Sequence, residues 1–292
     1  VSPKEGPLQF EPPVLWITGG SGLIGRYLAD QAQGRWPRCR VLRMGRPAID
    51  LTDFGLITRL FSEDRPSAVL HCAAMSRSPA CQADPPRAWL QNVEVTRHLV
   101  GLCRDVPFVF FSTDLVFRGD RGGLDETSGP DPVSVYGKTK LAAEEVVRCL
   151  DRHLIIRTSL NYGHSSSADR AFNEEMVQAW RSGRTLRLFT DEYRTPIAAS
   201  ETARAVLDLL TIGASGTLHV AGRERLSRWE LGGLIAGLHP GLEARIEATS
   251  LRDYQGPPRA PDITLDCGKA EVLLGRPMPR FSDWLRESGP GS

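Results

Sequence analysis

An apolar run, Val14-Leu-Trp-Ile-Thr18, leads directly into Gly19-Gly-Ser-Gly-Leu-Ile-Gly25, and an amphipathic stretch over residues 23–32 follows. A strand that ends in closely spaced glycines and hands over to a helix has few folded solutions. The spacing is GxxGxxG after Thr18. Gly19 permits a tight turn, Gly22 lets the backbone approach a pyrophosphate, and Gly25 lets the helix pack close to the strand. The helix N-terminus, with Leu23 and Ile24 in its first turn, offers free N–H groups and a positive dipole end to phosphates. A strand–helix turn without a ligand has the same spacing, so other segments must decide.

The alternation continues. Arg40–Met44, residues 68–72 and residues 108–112 read as strands, with amphipathic stretches over 54–61 and 88–103 between them. Strand, helix, strand in repetition indicates βαβ units and a parallel sheet. The near-continuous apolar run at 108–111 fits a sheet buried on both faces. Residues 119–132 form a polar loop of the length usually kept for function. A helix over about 135–150, a strand over 154–157 and a second polar loop over 164–169 follow.

From about Ala171 the pattern changes. A helix near 172–181, the run 186–197, a helix near 201–210 and a strand at 217–220 precede Ser227-Arg-Trp-Glu230, a capping box. Five prolines between 257 and 279 mark an irregular C-terminal part. The fold class is α/β: a doubly wound parallel (Rossmann) sheet over 13–165 with a smaller C-terminal substrate-binding part over 166–292, of which about 198–222 returns to the sheet. Residues 1–12 read as a trimmed end or a flexible arm.

Composition narrows the partners. Lys plus Arg is 36 and Asp plus Glu is 35, a net charge of +1, which argues against a nucleic acid or an anionic membrane as a whole-chain partner. No apolar run approaches the ~20 residues of a membrane span, and Lys4, Glu5 and Glu11 interrupt any signal-like start. The six cysteines contain no CxxC pair and the histidines no metal-ligand spacing, so the chain reads as a cytoplasmic protein with reduced thiols and no metal. Trp16, Trp89, Trp180, Trp229 and Trp284 read as core.

Three further segments carry chemistry. The second strand ends Val41-Leu-Arg43-Met-Gly-Arg46, with two cations where a carboxylate would bind a free ribose 2′-hydroxyl. This favours NADP(H) over NAD(H), with a solvated strand end as the alternative. Asp50 and Leu51 follow, Asp50 either reaching the adenine amino group or, with Thr52, capping a helix. Tyr136 and Lys140 lie one turn apart on one helix face; an ammonium beside a phenol lowers its pKa and suits it to deliver a proton to a carbonyl oxygen. A surface pair is the alternative. Thr113 closes the buried strand before that helix, placed to hydrogen-bond a substrate oxygen or to cap the next turn. Arg194 reads either as a phosphate ligand or as a surface partner of Asp191, Arg157 as structural, and His71 as a satisfied core histidine.

TGxxGxxG at 18–25, Ser112-Thr-Asp114 and YxxxK at 136–140, in this order, resemble the extended short-chain dehydrogenase/reductase superfamily. Ser112-Thr-Asp-Leu-Val-Phe117, Val135-Tyr-Gly-Lys-Thr-Lys-Leu-Ala-Ala-Glu144, Ile156-Arg-Thr-Ser159 with Tyr162-Gly163, and Asp191-Glu-Tyr-Arg-Thr-Pro196 are similar to the dTDP-4-dehydrorhamnose reductase family. The resemblance implies an NADPH-dependent reductase of a 4-keto-6-deoxy sugar nucleotide. Tyr136 would donate the proton, Lys140 hold the nicotinamide ribose, and Thr113 polarise the ketone. Cys72, Ala73, Ala74 and Phe111 would line the cofactor; Asp114, Leu160 and Arg194 would face the substrate. It also implies two other readings, a noncatalytic NADP-binding relative like the regulatory subunit of methionine adenosyltransferase and an epimerase that retains its NAD, and surface helices of a kind that form homodimers. Departures are informative. Asp114 is followed by Leu115 rather than a second acid, which favours reduction over elimination. Leu160 stands where rhamnose-type reductases have tryptophan, leaving a non-sugar ketone open. Pro79 and Gln82 replace acidic residues, and Tyr27 stands where some members hold Mg²⁺, so no metal is expected there.

Overall fold

The computed structural model describes residues 12–165, 167–169 and 171–288. Residues 1–11, most of the expected arm, lie outside them. The chain begins β1 (Val14–Thr18), α1 (Leu23–Arg35), β2 (Arg40–Met44), α2 (Phe54–Asp64) and β3 (Ala68–His71). Next come α3 (Ser78–Ala83), α4 (Pro85–Trp89), a π-helical turn (Leu90–Glu94), α5 (Val95–Leu102), β4 (Phe108–Thr113), α6 (Val135–Val147) and β5 (His153–Thr158). The expected helix over 88–103 is thus one unbroken helical run with a π-helical turn inside it. Asn92, in the π turn, uses its amide to grip both the N–H and the C=O of Met75 and the hydroxyl of Thr139, which fixes the distorted turn between the β3 loop and α6.

Six strands form one sheet in the order β10-β5-β4-β3-β1-β2, all pairs parallel, with β10 at Gly216–His219. After β2 forms on one side of β1, the chain places β3 on the other. The crevice between the carboxyl ends of β1 and β3 is thus the topological switch point, where open α/β sheets bind ligands. Alternation along β1 shows why both faces are covered. Leu15 and Ile17 pack with Leu28, Ala29 and Ala32 of α1, while Trp16 packs with Ile57, Leu99 and Val147 on the other face.

Beyond β5 the chain builds the second part: β6 (Asn161–Tyr162), α7 (Phe172–Arg181), β7 (Leu186–Phe189), β8 (Tyr193–Arg194) and β9 (Ile197–Ala198). It returns along α8 (Ala199–Thr211), which packs on α1, to β10. It leaves again through β11 (Leu226–Ser227), α9 (Arg228–Gly237) and β12 (Ile246–Thr249), and ends in α10 (Gly268–Leu274) and α11 (Phe281–Ser288). β11 pairs with β8, β12 with β7 and β6 with β9. A separate core of Tyr162, Met176, Trp180, Leu231, Ile235 and Phe281 holds this part together. The capping box forms as read, Ser227 and Glu230 exchanging bonds. Two tryptophans depart from the core expectation: Trp89 and Trp229 are each 45% exposed. The six cysteines are free. Among the described residues no helix is long and apolar enough to cross a membrane.

Candidate active site

One cleft of about 1450 Å³ runs along the carboxyl ends of the strands, between the sheet and the second part. At one end lies the glycine turn. Gly19 sits at φ +66°, and a methyl group there would lie 2.8 Å from the backbone N of Ala73, so only glycine lets the two turns flanking the switch point touch. The N–H of Gly22 closes the turn on the Gly19 carbonyl at 2.8 Å. Gly22 is also the N-cap of α1, with no side-chain cap and no acid in the first turn. The N–H groups of that turn are left for an external acceptor. This uncapped, uncharged helix start inside a glycine cradle fits a dinucleotide pyrophosphate. Thr18 fastens the floor: its hydroxyl bonds His71 Nδ1 at 2.6 Å and accepts from the N–H of Ala73. His71 completes its pairing with Thr96, and burial holds its pKa down at about 3, helped by Lys140; it is a neutral core histidine.

The two cations after β2 separate. Arg46 lines the cleft together with Asp50 and Leu51. Arg43 does not; its guanidinium pairs with Asp30 on α1, and its Cβ lies where a side chain on Gly20 would have to go. Asp50 binds the N–H and hydroxyl of Thr52, and these bonds lower its pKa. The cap of α2 is Asp53, which accepts from the N–H of Leu56, not Asp50 or Thr52.

Thr113, Tyr136 and Lys140 all line this cleft. Thr113 ends β4, donates to Asp114 at 3.1 Å and accepts from the N–H of Leu115, so it caps the following turn and also faces the cleft. Ser134 caps α6, and Gly137 lets that helix start against the carbonyl of Leu115, 2.1 Å from where a Cβ would stand. The electrostatics differ from the expectation. Burial, then Cys81 and Asp114, push the Tyr136 phenol above its ordinary value. The Lys140 ammonium lies over the Phe110 ring, 3.9 Å from the centroid. Burial pulls Lys140 down to about 7, opposed by Glu144 and Cys72.

The opposite wall joins the end of β4 to the second part. Asp114, buried and pushed up by burial, accepts from Ser159 at 2.6 Å and lies 3.7 Å from Arg194. Arg194 is buried and pairs with Glu192 at 3.0 Å. Arg259 grips the same Glu192 through two nitrogens, and Arg228 joins them on the cleft wall. The expected Arg194–Asp191 pair is absent: Asp191 holds Ser250 and the N–H of Leu251 instead. Leu160 and Phe172 supply apolar lining. Arg157 is structural, bonded bidentately to Glu144.

Every residue singled out from the sequence for the site lines this cleft except Arg43. Gly19, Gly22, Leu23, Ile24, Gly25, Cys72, Ala73, Ala74, Phe111, Asp114, Leu160 and Arg194 are all part of its lining. Sequence reading missed Glu192, Arg228 and Arg259. Arg228 was the most accessible of these, since it follows the capping Ser227 at a helix start. Among the described residues no cluster of His, Cys, Asp or Glu could hold a metal ion.

A family model described as the RmlD substrate binding domain matches residues 14–288. A probable low-salt glycan biosynthesis reductase, Agl14, of Haloferax volcanii is 32% identical over 91% of this chain and 88% of its own length. A dTDP-4-dehydrorhamnose reductase of Streptomyces griseus is 31% identical over 71% of this chain and 68% of its own. The methionine adenosyltransferase 2 subunit beta of Mus musculus is 26% identical over 93% and 86%. A crystal structure of dTDP-4-dehydrorhamnose reductase from Bacillus anthracis in complex with NADP shares the fold, with a TM-score of 0.86 at 22% identity over 95% of this chain and 98% of the other.

Proposed function

The chain belongs to the RmlD substrate binding domain family of NAD(P)-dependent reductases, and from that premise we propose that it reduces the ketone of a 4-keto-6-deoxy sugar nucleotide with NADPH. The observation that carries the reading is the convergence of the glycine cradle, Thr113, Tyr136 and Lys140 in one cleft at the switch point. Bound NADPH would supply the hydride. The uncapped start of α1 would take its pyrophosphate and Arg46 its 2′-phosphate.

The protein's own part is binding and proton transfer. Tyr136 keeps its proton at neutral pH because burial disfavours the phenolate, the form a donor to a developing alkoxide needs. Thr113 presents a hydroxyl to the same oxygen, and Lys140 anchors the ribose edge of the cofactor. Arg194, held by Glu192 and Asp114, faces the nucleotide phosphates.

The likeness to an adenosyltransferase regulatory subunit supports a second reading, a cofactor-binding protein without turnover. One experiment separates them. NADPH and NADH are titrated by fluorescence, and NADPH oxidation is followed with a dTDP-4-keto-6-deoxy sugar for the wild type and Tyr136→Phe. We expect turnover in the wild type and a loss of ~10²–10⁴-fold in kcat in the variant with NADPH affinity kept. Tight binding without turnover on any nucleotide ketone favours the regulatory reading. Binding of neither cofactor overturns both.

A further inference from the structure

The three arginines of the opposite wall are not equivalent. β8 and β11 pair antiparallel, Arg194 opposite Leu226 and Tyr193 opposite Ser227. The N–H of Arg228 bonds the carbonyl of Glu192 at 2.9 Å, which carries the ladder one rung further and sets Arg228 opposite Glu192. Directly opposed residues of an antiparallel pair are side-chain neighbours, and opposite charges there attract. Glu192 is thus the nearest ion-pair partner the fold offers Arg228.

That carboxylate is taken by the other two. Arg194 approaches it at 3.0 Å, and Arg259 bonds both of its oxygens. Arg194 spends the rest of its fork on the wall itself: Nη1 bonds the carbonyls of Tyr193 at 2.9 Å and Ala260 at 3.2 Å, and Nε lies 3.7 Å from Asp114. Arg259 is also laid against the rings of Phe189 and Tyr254. Arg228 lines the same cleft, half-buried, and among the described residues its guanidinium enters no hydrogen bond or ion pair. Three guanidiniums therefore share two carboxylates, Glu192 and Asp114, and the one left over faces the cleft. An uncompensated cation on a cleft wall draws an anion, and a planar guanidinium with free N–H groups fits phosphate oxygens in pairs.

We propose that Arg228 is the specificity-determining residue of this wall, the one whose N–H groups bond the diphosphate of the substrate, while Arg194 and Arg259 add charge from fixed positions. The proposal rests on the reading that the substrate is a sugar nucleotide and deepens it: Arg228 selects a ketone carried on a nucleoside diphosphate against a free sugar or a non-sugar ketone. The hold of Arg194 and Arg259 on Glu192 is what keeps Arg228 available.

The test titrates dTDP into the NADPH-saturated protein by calorimetry. In Arg228→Gln we expect dTDP to bind ~10–100-fold more weakly, the loss of a charge-assisted contact, with the melting temperature and NADPH affinity of the wild type. With a dTDP-4-keto-6-deoxy sugar, KM should rise by more than kcat falls, because the diphosphate is bound alike in the ground and transition states. Arg228→Lys keeps the charge and loses the fork, so its dTDP affinity should fall between the two; it reads the same loss in smaller measure should Arg228→Gln fail to fold. Wild-type dTDP affinity in the folded variants overturns the proposal. So does an equal loss of NADPH affinity, which would give Arg228 to the cofactor. A wild type that binds NADPH but neither dTDP nor UDP overturns the sugar-nucleotide reading and the proposal with it. Weakened dTDP binding in a protein without turnover leaves the proposal standing and overturns the reductase reading instead.

Discussion

Gly22 and Gly25 stand three residues apart in the same turn and should fail in opposite ways. A methyl group on Gly25 would lie 2.3 Å from the carbonyl oxygen of Gly19 and 2.9 Å from its carbon, both backbone atoms that cannot rotate away. Overpacking of this kind costs up to ~3 kcal/mol, and alanine returns ~1 kcal/mol of helix propensity. The net is about 2 kcal/mol. At ~2–4 °C per kcal/mol for a chain of this class, Gly25→Ala should melt roughly 4–8 °C lower. On Gly22 the methyl group would meet the Gly19 oxygen alone, at 3.0 Å. The residue sits at φ −74° and ψ 171°, a backbone open to any L-amino acid. Gly22→Ala should therefore keep stability within ~0.5 kcal/mol, but it puts a methyl group at the uncapped helix start and should weaken NADPH binding tenfold or more, ~1.4 kcal/mol. Thermal unfolding and NADPH fluorescence titration on the same preparations read both. Wild-type affinity in Gly22→Ala would refute the phosphate cradle. A wild-type melting temperature in Gly25→Ala would refute the packing argument.

Two further outcomes follow from single side chains. Arg46→Ala should weaken NADPH binding ~10–100-fold, as loss of a charge-assisted phosphate contact does, with little change for NADH. Arg43→Ala should alter neither by more than a few-fold, because that guanidinium is held by Asp30; equal losses in both variants would mean that Arg43 swings into the cleft. His71 sets an acid limit. Its folded pKa of about 3 lies below the ordinary 6.5, so the unfolded chain binds more protons between those values and stability falls as pH drops through that window. The loss between pH 7 and pH 5 is about 2 kcal/mol. Urea unfolding at the two pH values should show a flatter dependence in His71→Gln, and an equal slope would assign the acid sensitivity elsewhere.

The sheet was readable because its strands are short apolar runs buried on both faces, and the cradle because glycine is demanded there by contacts with the backbone. What local spacing alone governs was also readable, such as the Ser227–Glu230 cap. Reading failed where a side chain had a choice. Lys140 shares a helix face with Tyr136, but its four-carbon stem reaches the Phe110 ring, and no i, i+4 argument excludes that. Arg43 is thirteen residues from Asp30, on β2, the strand after α1, and the ion pair appears only once α1 lies across β2. The Glu192, Arg194, Arg228 and Arg259 wall draws on three separate segments, including the proline-marked stretch that looked merely irregular.

The path of the chain through the sheet also has a cost in time. β5 gains its outer neighbour, β10, only at residue 216, fifty-eight residues after its own last residue, because the first excursion into the second part intervenes. At ~5–20 residues per second of synthesis, the backbone of Leu154-Ile-Ile156 stays uncovered on one side for about 3–12 seconds on the ribosome. An open, apolar strand edge is the surface that pairs with neighbouring chains, so the nascent protein passes through its most aggregation-prone stage while the far wall of its own cleft is still being made.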